Sequence, residues 1–381
     1  ITIDTVRADH VGPSGGYGRP TMPIIGSFAA SSTVYTQTIA PASWTLPTMV
    51  SLATGLGPLD HTVRTVERQL PTSMPTLAEE LEAAGYQTAF FGVNPVFLVD
   101  RGPTRGFSSV WTDRGAAAGA ANQHVRTWLD TARQHDRPLF LHVHYYEPHC
   151  PYRPPQQALD ALSSAPVAAG GKATDVENIG CHAIRDDGGE TATDLAEYHR
   201  RYDAELWSVD AALGRLRRIL GERGIDEHDL WVITADHGES FWEHGEVGHS
   251  RTLWREELHV PLLVHRPGQA QGTAVPHRVA LTDVHQTLRA AGIGGVDPLL
   301  QVDGDQDVLS ATDAGPRPLL AWHSGRQKLL RTEGLPDVWF DLDADPLEQR
   351  PLSAPPPDLV GALDNCASKK CWRFPSSPTS S

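Results

Sequence analysis

The stretch Leu230-Trp231-Val232-Ile233-Thr234-Ala235-Asp236-His237-Gly238-Glu239 decides the fold. Its first part, Leu230 to Ala235, is short and apolar, which reads as a strand. It stops on a carboxylate and an imidazole, and in open α/β sheets ligands bind beyond the carboxyl ends of the strands. The chain opens in the same way, with Ile1-Thr2-Ile3 ending on Asp4. Outward from these two ends, Thr88 to Val93, Leu139 to Tyr145 and Val260 to His265 are further short apolar runs bounded by Gly, Pro or charge. Helical patterns lie between them. Leu77, Leu81 and Ala84 are closed by Gly85, and Leu195, Tyr198, Tyr202, Leu206, Val209, Leu213, Leu216 and Leu220 step by three or four residues along one stripe. Alternating strands and helices predict an α/β fold with a mostly parallel central sheet flanked by helices.

A chain of 381 residues suits one large body with a smaller appendage. The expected division is a catalytic domain over 1–266, a small C-terminal α+β subdomain over 267–355 and a tail over 356–381. The subdomain rests on a short helix near Val284 to Ala291 and strands near Leu319 to Trp322, Lys328 to Arg331 and Val338 to Asp341. Residues Ala161 to Thr193 read as a surface excursion. Net charge is −15, from 32 Lys and Arg against 47 Asp and Glu, which repels polyanions and argues against a nucleic-acid partner. No run approaches the roughly 18 apolar residues of a membrane span. Four cysteines are too few for a disulfide framework, with Cys366 to Cys371 the favoured bridge. The start inside a strand leaves both cytoplasmic and secreted locations open, and nothing in the sequence fixes an oligomeric state.

Asp4, Asp236 and His237 at strand ends combine hard oxygens with one imidazole, the donor set of a divalent-cation site. Between them in sequence lies Thr45-Leu46-Pro47-Thr48-Met49, where Pro47 suits a first helical turn and Thr45 reads as its cap. A hydroxyl at a helix N-terminus beside a dication has a lowered pKa and an anion cradle.

These residues resemble the sulfatase branch of the alkaline phosphatase superfamily over nearly the whole chain. Asp4 to His10 is similar to that family's opening metal motif, and Thr45-Leu46-Pro47 through Leu52-Ala53-Thr54-Gly55 to its nucleophile turn and helix. Pro148-His149-Cys150-Pro151-Tyr152 resembles its substrate-contacting loop. Asp236 to Glu239, Glu243-His244-Gly245 and Gly248-His249 resemble its second metal motif and following loop, and Val338 to Leu342 with Asp345 to Glu348 its C-terminal signature.

The resemblance implies an alkaline-phosphatase-like fold in which Asp4, Thr45, Asp236 and His237 hold one divalent metal ion, Mn, Zn or Ca. His237 weighs against Ca. A second ion would need Glu147, His149 and His249, and one ion is expected. Two departures then set the chemistry. Classical sulfatases carry a Cys or Ser that becomes formylglycine, followed four residues on by Arg; here those positions are Thr45 and Met49. Threonine bears a methyl on Cβ and cannot give that aldehyde, and family members with threonine here are phosphoryl-transfer catalysts. The implied activity is therefore hydrolysis or transfer of phosphate or phosphonate esters by a Thr45 nucleophile, with His249 or His149 protonating the leaving oxygen. Asn94, His61, Arg64 and His244 are the expected substrate contacts in place of the absent Arg. Substrates would be small-molecule, lipid-linked or glycan-linked anionic esters. The alternatives are sulfate-ester cleavage by unmodified Thr45, or anion binding without turnover.

Overall fold

The computed structural model describes residues 1–11, 18–163, 192–352 and 354–369. The first strands are Thr2–Ile3 (β1), Thr33–Ile39 (β2), Gln87–Val93 (β3), Ser109–Asp113 (β4), Leu139–Tyr145 (β5) and Trp231–Ala235 (β6). A small hairpin, Ser240–Phe241 (β7) and Val247–Gly248 (β8), precedes His259–His265 (β9) and Thr273–Ala280 (β10). Eight strands form one sheet in the order β10-β2-β9-β6-β1-β5-β3-β4. Within it β9 alone runs against its neighbours, β2 and β6; the other pairings are parallel.

The helices are Pro23–Ala29 (α1), Thr45–Thr54 (α2), Pro58–His61 (α3), Leu77–Ala83 (α4), Ala118–Thr131 (α5), Gln156–Ala161 (α6), Ala192–Gly221 (α7), Arg255–Leu258 (α8) and Asp283–Ile293 (α9). α1, α5 and α6 pack on α7, while α2, α4 and α9 pack on one another, and α4 and α5 both reach β3. Covering a parallel sheet in this way buries its strands on both faces, so every residue of β3 and β6 is buried. The long apolar stripe read in the sequence is the buried face of α7, including Tyr202, Leu206, Leu213 and Leu216.

In the large sheet, the strands that continuous apolar runs did not reveal are β2, β4 and β10; the short hairpin β7-β8 and, in the small sheet, Val308–Thr312 also went unread. β2 reads Thr-Val-Tyr-Thr-Gln-Thr-Ile and is buried only at Tyr35, Thr38 and Ile39. β10 carries Pro276 at a register shift between Val275 and Arg278 on the sheet's edge, where a missing N–H breaks no central ladder. Past position 266 the chain therefore first returns to the large sheet.

Val308–Thr312 (β11), Leu319–Ser324 (β12), Gln327–Thr332 (β13) and Val338–Asp341 (β14) follow as an antiparallel sheet, in chain order. Successive residues face opposite sides. Ala321 and Leu330 join the main core, while Trp322 and Leu329 turn the other way. Pro357–Lys369 (α10) covers that second side with Leu359, Leu363 and Cys366. The tail expected from 356 is thus corrected over this range, because these three residues recur at helical spacing and supply an apolar stripe. Residues 370–381, and 164–191 of the expected excursion, lie outside the described residues. Cys150 and Cys366 are both disulfide-bonded; Cys181 and Cys371, and so the bridge expected between Cys366 and Cys371, lie outside the described residues.

Candidate active site

Strand register builds the centre. β1 lies between β5 and β6, with Ile3 opposite Tyr145 and Ala235 and Thr2 opposite His144 and Thr234. The next residue on each side strand end is Asp4 or Asp236, so the two carboxylates emerge side by side. Thr5 takes φ 55°, a left-handed conformation disfavoured for a β-branched residue, and its N–H donates to Asp236 Oδ1 at 3.3 Å. His237 N–H donates to the same oxygen at 2.9 Å. Gly238 lets the backbone approach closely, since a Cβ there would lie 2.0 Å from the Glu256 carbonyl oxygen.

His237 is fully buried, and its Nδ1 donates to the Gly238 carbonyl at 2.9 Å. That bond leaves a bare Nε2, which lies 3.4 Å from Asp4 Oδ1, 3.5 Å from Asp236 Oδ2 and 3.4 Å from Thr45 Oγ1. Burial pushes His237 down to about 3, with His249 adding to the effect and Asp4 opposing it, so the ring is neutral at physiological pH. Burial raises the Asp236 carboxyl well above its ordinary range, and the Asp4 charge raises it further. Burial acts in the same sense on Asp4, but His149, His144 and His237 overcome it and hold that carboxyl low.

Asp4 Oδ1, Asp236 Oδ2 and His144 Nε2 are buried without a hydrogen-bond partner among the described residues. Asp4, His144 and Asp236 each offer a ligand atom within 4.8 Å of the others. Two hard carboxylates and imidazole nitrogen in a buried pocket fit a divalent cation, which would offset the carboxylate repulsion. His144 was not singled out in the sequence; the signal available was its place near the end of the run Leu139 to Tyr145, one residue short of the strand's terminus.

Thr45 is the first helical residue of α2, and Trp44 occupies the cap position without a capping bond. The expectation that Thr45 caps the helix is therefore corrected. Its Oγ1 instead accepts from Asn94 Nδ2 at 3.3 Å, and Asn94 Nδ2 also donates to Asp4 Oδ2 at 2.7 Å. The other end of α2 is closed by Gly55 at φ 69°, where a Cβ would meet His285 at 2.8 Å. Met49 faces the main core.

His149 and His249 lie beside this centre. Their ring centroids are 5.0 Å apart, and His249 is 4.5 Å from His237. His249 Nδ1 meets Glu239 Oε1 at 2.8 Å, and Tyr152 donates to Glu239 Oε2 at 2.8 Å. Burial pulls the His249 pKa down, but the Glu239 carboxylate overcomes it and holds the ring above the ordinary histidine value.

The remaining candidates are placed elsewhere. His61 is buried against Ser51 (3.1 Å) and accepts from Val63 N–H (3.0 Å), and burial pushes it down to about 3. Arg64 pairs with Asp313 at 2.9 Å. His244 lies between Glu256 Oε1 (2.7 Å) and the Glu348 carbonyl (2.9 Å) and stacks on Trp254. Glu147 Oε1 accepts from Ala118 N–H at the start of α5.

The family model described as Sulfatase matches residues 1–293. Among curated proteins, the chain is 23% identical to an ulvan-active sulfatase of Formosa agariphila, over 97% of this chain and 80% of that protein. It is 28% identical to arylsulfatase K of Gallus gallus over 43% of this chain, spanning only 35% of that relative's length. In three dimensions it is similar to the phosphonate monoester hydrolase of Silicibacter pomeroyi, with a TM-score of 0.75 at 19% identity, over 96% of this chain and 93% of that one. A putative sulfatase from Bacteroides thetaiotaomicron also aligns with a TM-score of 0.75, at 17% identity over 96% of this chain and 89% of that one. Strand-end carboxylates, the hydroxyl-bearing helix start and a family match across three quarters of the sequence agree, and this chain belongs to the sulfatase family.

Proposed function

We propose that this protein is a metal-dependent ester hydrolase that acts on phosphate or phosphonate esters through Thr45. The observation that carries the reading is the Thr45 hydroxyl itself, buried at the start of α2 between Asn94 Nδ2 and His237 Nε2. A divalent ion held by Asp4, Thr45, Asp236 and His237 would supply the charge that acidifies this hydroxyl and offsets that of the ester oxygens. Thr45, as its alkoxide, attacks the phosphorus in line. The new P–Oγ1 bond forms as the bond to the leaving oxygen breaks, and that oxygen takes a proton from His249, beside His149. Water then cleaves the phosphothreonine, giving its proton to His249 and returning the Thr45 oxygen. Asn94 positions both Thr45 and Asp4, and transition-state charge is met by groups already fixed in place. In this reading water is the acceptor, so the reaction is hydrolysis.

A second reading, sulfate-ester cleavage by the same unmodified Thr45, is favoured by the sulfatase names of the curated relatives. One metal-loaded preparation assayed on an aryl phosphate diester, an aryl phosphonate and an aryl sulfate decides between them. Phosphorus esters are expected to turn over faster, and a wide margin for sulfate overturns the choice. Thr45→Ala should abolish turnover with the fold intact, because the side chain makes no helix cap, while Thr45→Ser keeps a nucleophile. Full activity in Thr45→Ala removes Thr45 from the mechanism.

A further inference from the structure

The geometry points to His144 as an additional ligand of the ion shared by Asp4 and Asp236, giving a site with two imidazoles that selects a borderline transition metal such as zinc over calcium. This rests on the metal-dependent reading above and deepens it. His144 is completely buried, and its Nε2 has no hydrogen-bond partner among the described residues. That nitrogen lies 3.7 Å from Asp4 Oδ2, too far for a hydrogen bond but a separation that two ligands of one cation adopt when each sits about 2.0–2.4 Å from it. The three ligand atoms of Asp4, His144 and Asp236 fall within 4.8 Å of one another.

The other side of the ring explains how the nitrogen is kept ready. His144 Nδ1 is 2.8 Å from Thr2 Oγ1, which is 3.0 Å from His142 Nε2. A hydroxyl has one proton to give. If Thr2 gives it to His142, then His144 Nδ1 donates to Thr2, and Nε2 is left as a lone pair facing the carboxylates. The reverse arrangement would put an N–H at Nε2 with no acceptor within bonding distance. Binding a cation therefore selects the first arrangement and satisfies all three orphaned atoms together. Phe97 packs edge-on against the His144 ring at 5.0 Å, which limits its rotation. A ligand imidazole with its second nitrogen tied to a fixed partner is the usual construction of a metal site.

Imidazole suits zinc and its neighbours, whereas calcium prefers an all-oxygen shell. The test is pulsed EPR on metal-depleted protein reloaded with copper(II) alone, which counts coordinated imidazoles in the wild type. Two are expected, from His237 and His144, and one remaining in His144→Gln. Calorimetric titration with zinc and with calcium forms the second arm. His144→Gln should lose at least 10–100-fold in zinc affinity with little change for calcium, and Thr2→Val, which removes only the tether, should lose about 10–100-fold. A single imidazole in the wild type, or unchanged zinc affinity in a folded His144→Gln, overturns the assignment, and the wild-type spectrum decides however that variant folds. Neither readout involves turnover. Protein that binds no divalent ion at all overturns the metal-dependent reading as well, whereas an ion with one imidazole overturns only the role of His144.

Discussion

Replacing Lys328 with Met should destabilise the protein far more than an ordinary core exchange. Lys328 lies on β13 and is 0% exposed. Its Nζ donates to Glu348 Oε2 at 2.6 Å and to the Leu253 carbonyl at 2.7 Å, and Glu348 Oε2 also accepts from Arg255 N–H at 3.2 Å. The pair thus ties the small sheet to the loop leading into α8. At 2.6 Å and an effective dielectric constant near 20 the gross attraction is about 6 kcal/mol. Desolvation offsets much of it, but removing one partner strands the other charge in the interior, which costs about 3–5 kcal/mol. That is a large share of a typical total stability of about 5–15 kcal/mol. Glu348→Gln should cost a similar amount, since it leaves the ammonium unpaired while keeping an acceptor for Arg255. The double variant carries neither charge of the pair and should cost less than either single one. Urea unfolding followed by tryptophan fluorescence measures all three. A Lys328→Met cost below about 1 kcal/mol, or a double-variant cost equal to the sum of the singles, refutes the reasoning.

Two further outcomes follow from groups whose surroundings are equally explicit. Burial lowers the His244 pKa, but Glu256 overcomes this and raises it above the ordinary value, so the stabilisation is fully present below about pH 6.5 and is lost as pH rises through the folded pKa. The melting-temperature gap between wild type and His244→Gln should therefore be widest near pH 6 and narrow toward pH 9; a gap constant across that range removes the charged pair as its cause. Leu363→Ala should lower stability by about 2–5 kcal/mol, read as a shifted urea midpoint, because Leu363 is buried between α10 and the small sheet. An unchanged midpoint would mean that α10 contributes nothing to the folded domain.

The central strands were legible because they form short, mostly apolar runs bounded by polar residues. The run Leu139 to Tyr145 matches β5 to the residue, and that from Leu230 differs from β6 by one. Half-buried β2 and the edge strands β4 and β10 escaped, since polar residues face out on the first and a proline sits in the last. At the site, Asp4, Asp236 and His237 stood next to strand ends, and the structure brings them together with Thr45 and Asn94. His144 escaped because its meaning depends on register: nothing in the sequence says that Thr2 will lie opposite it or that Asp4 will be its neighbour. For His61 and His244 the opposite holds. The sequence reading expects both as substrate contacts, yet each ring is taken up by protein groups that only the fold places there.

Under the proposed mechanism, the charge at the centre would constrain the substrate more tightly than the choice between phosphorus and sulfur. In the proposed mechanism, ionised Asp4 and Asp236 would together cancel a bound divalent ion, and a protonated His249 would cancel Glu239. Arg7, the nearest arginine in sequence to Asp4, is committed to Asp9 and Glu243 and donates to the Glu239 carbonyl. Met49, where the family resemblance implies an arginine, is turned into the core. Among the described residues, such a centre would carry no surplus positive charge for a doubly charged head group, and a phosphate monoester is largely a dianion at neutral pH. Phosphodiesters, phosphonate monoesters and sulfate esters each bring a single negative charge to the reacting group. They also share a tetrahedral centre with a non-bridging oxygen for the ion and a leaving oxygen for His249. Selection among these monoanions then falls to the groups around the leaving oxygen, not to Asp4, Asp236 and Thr45, which would treat them alike.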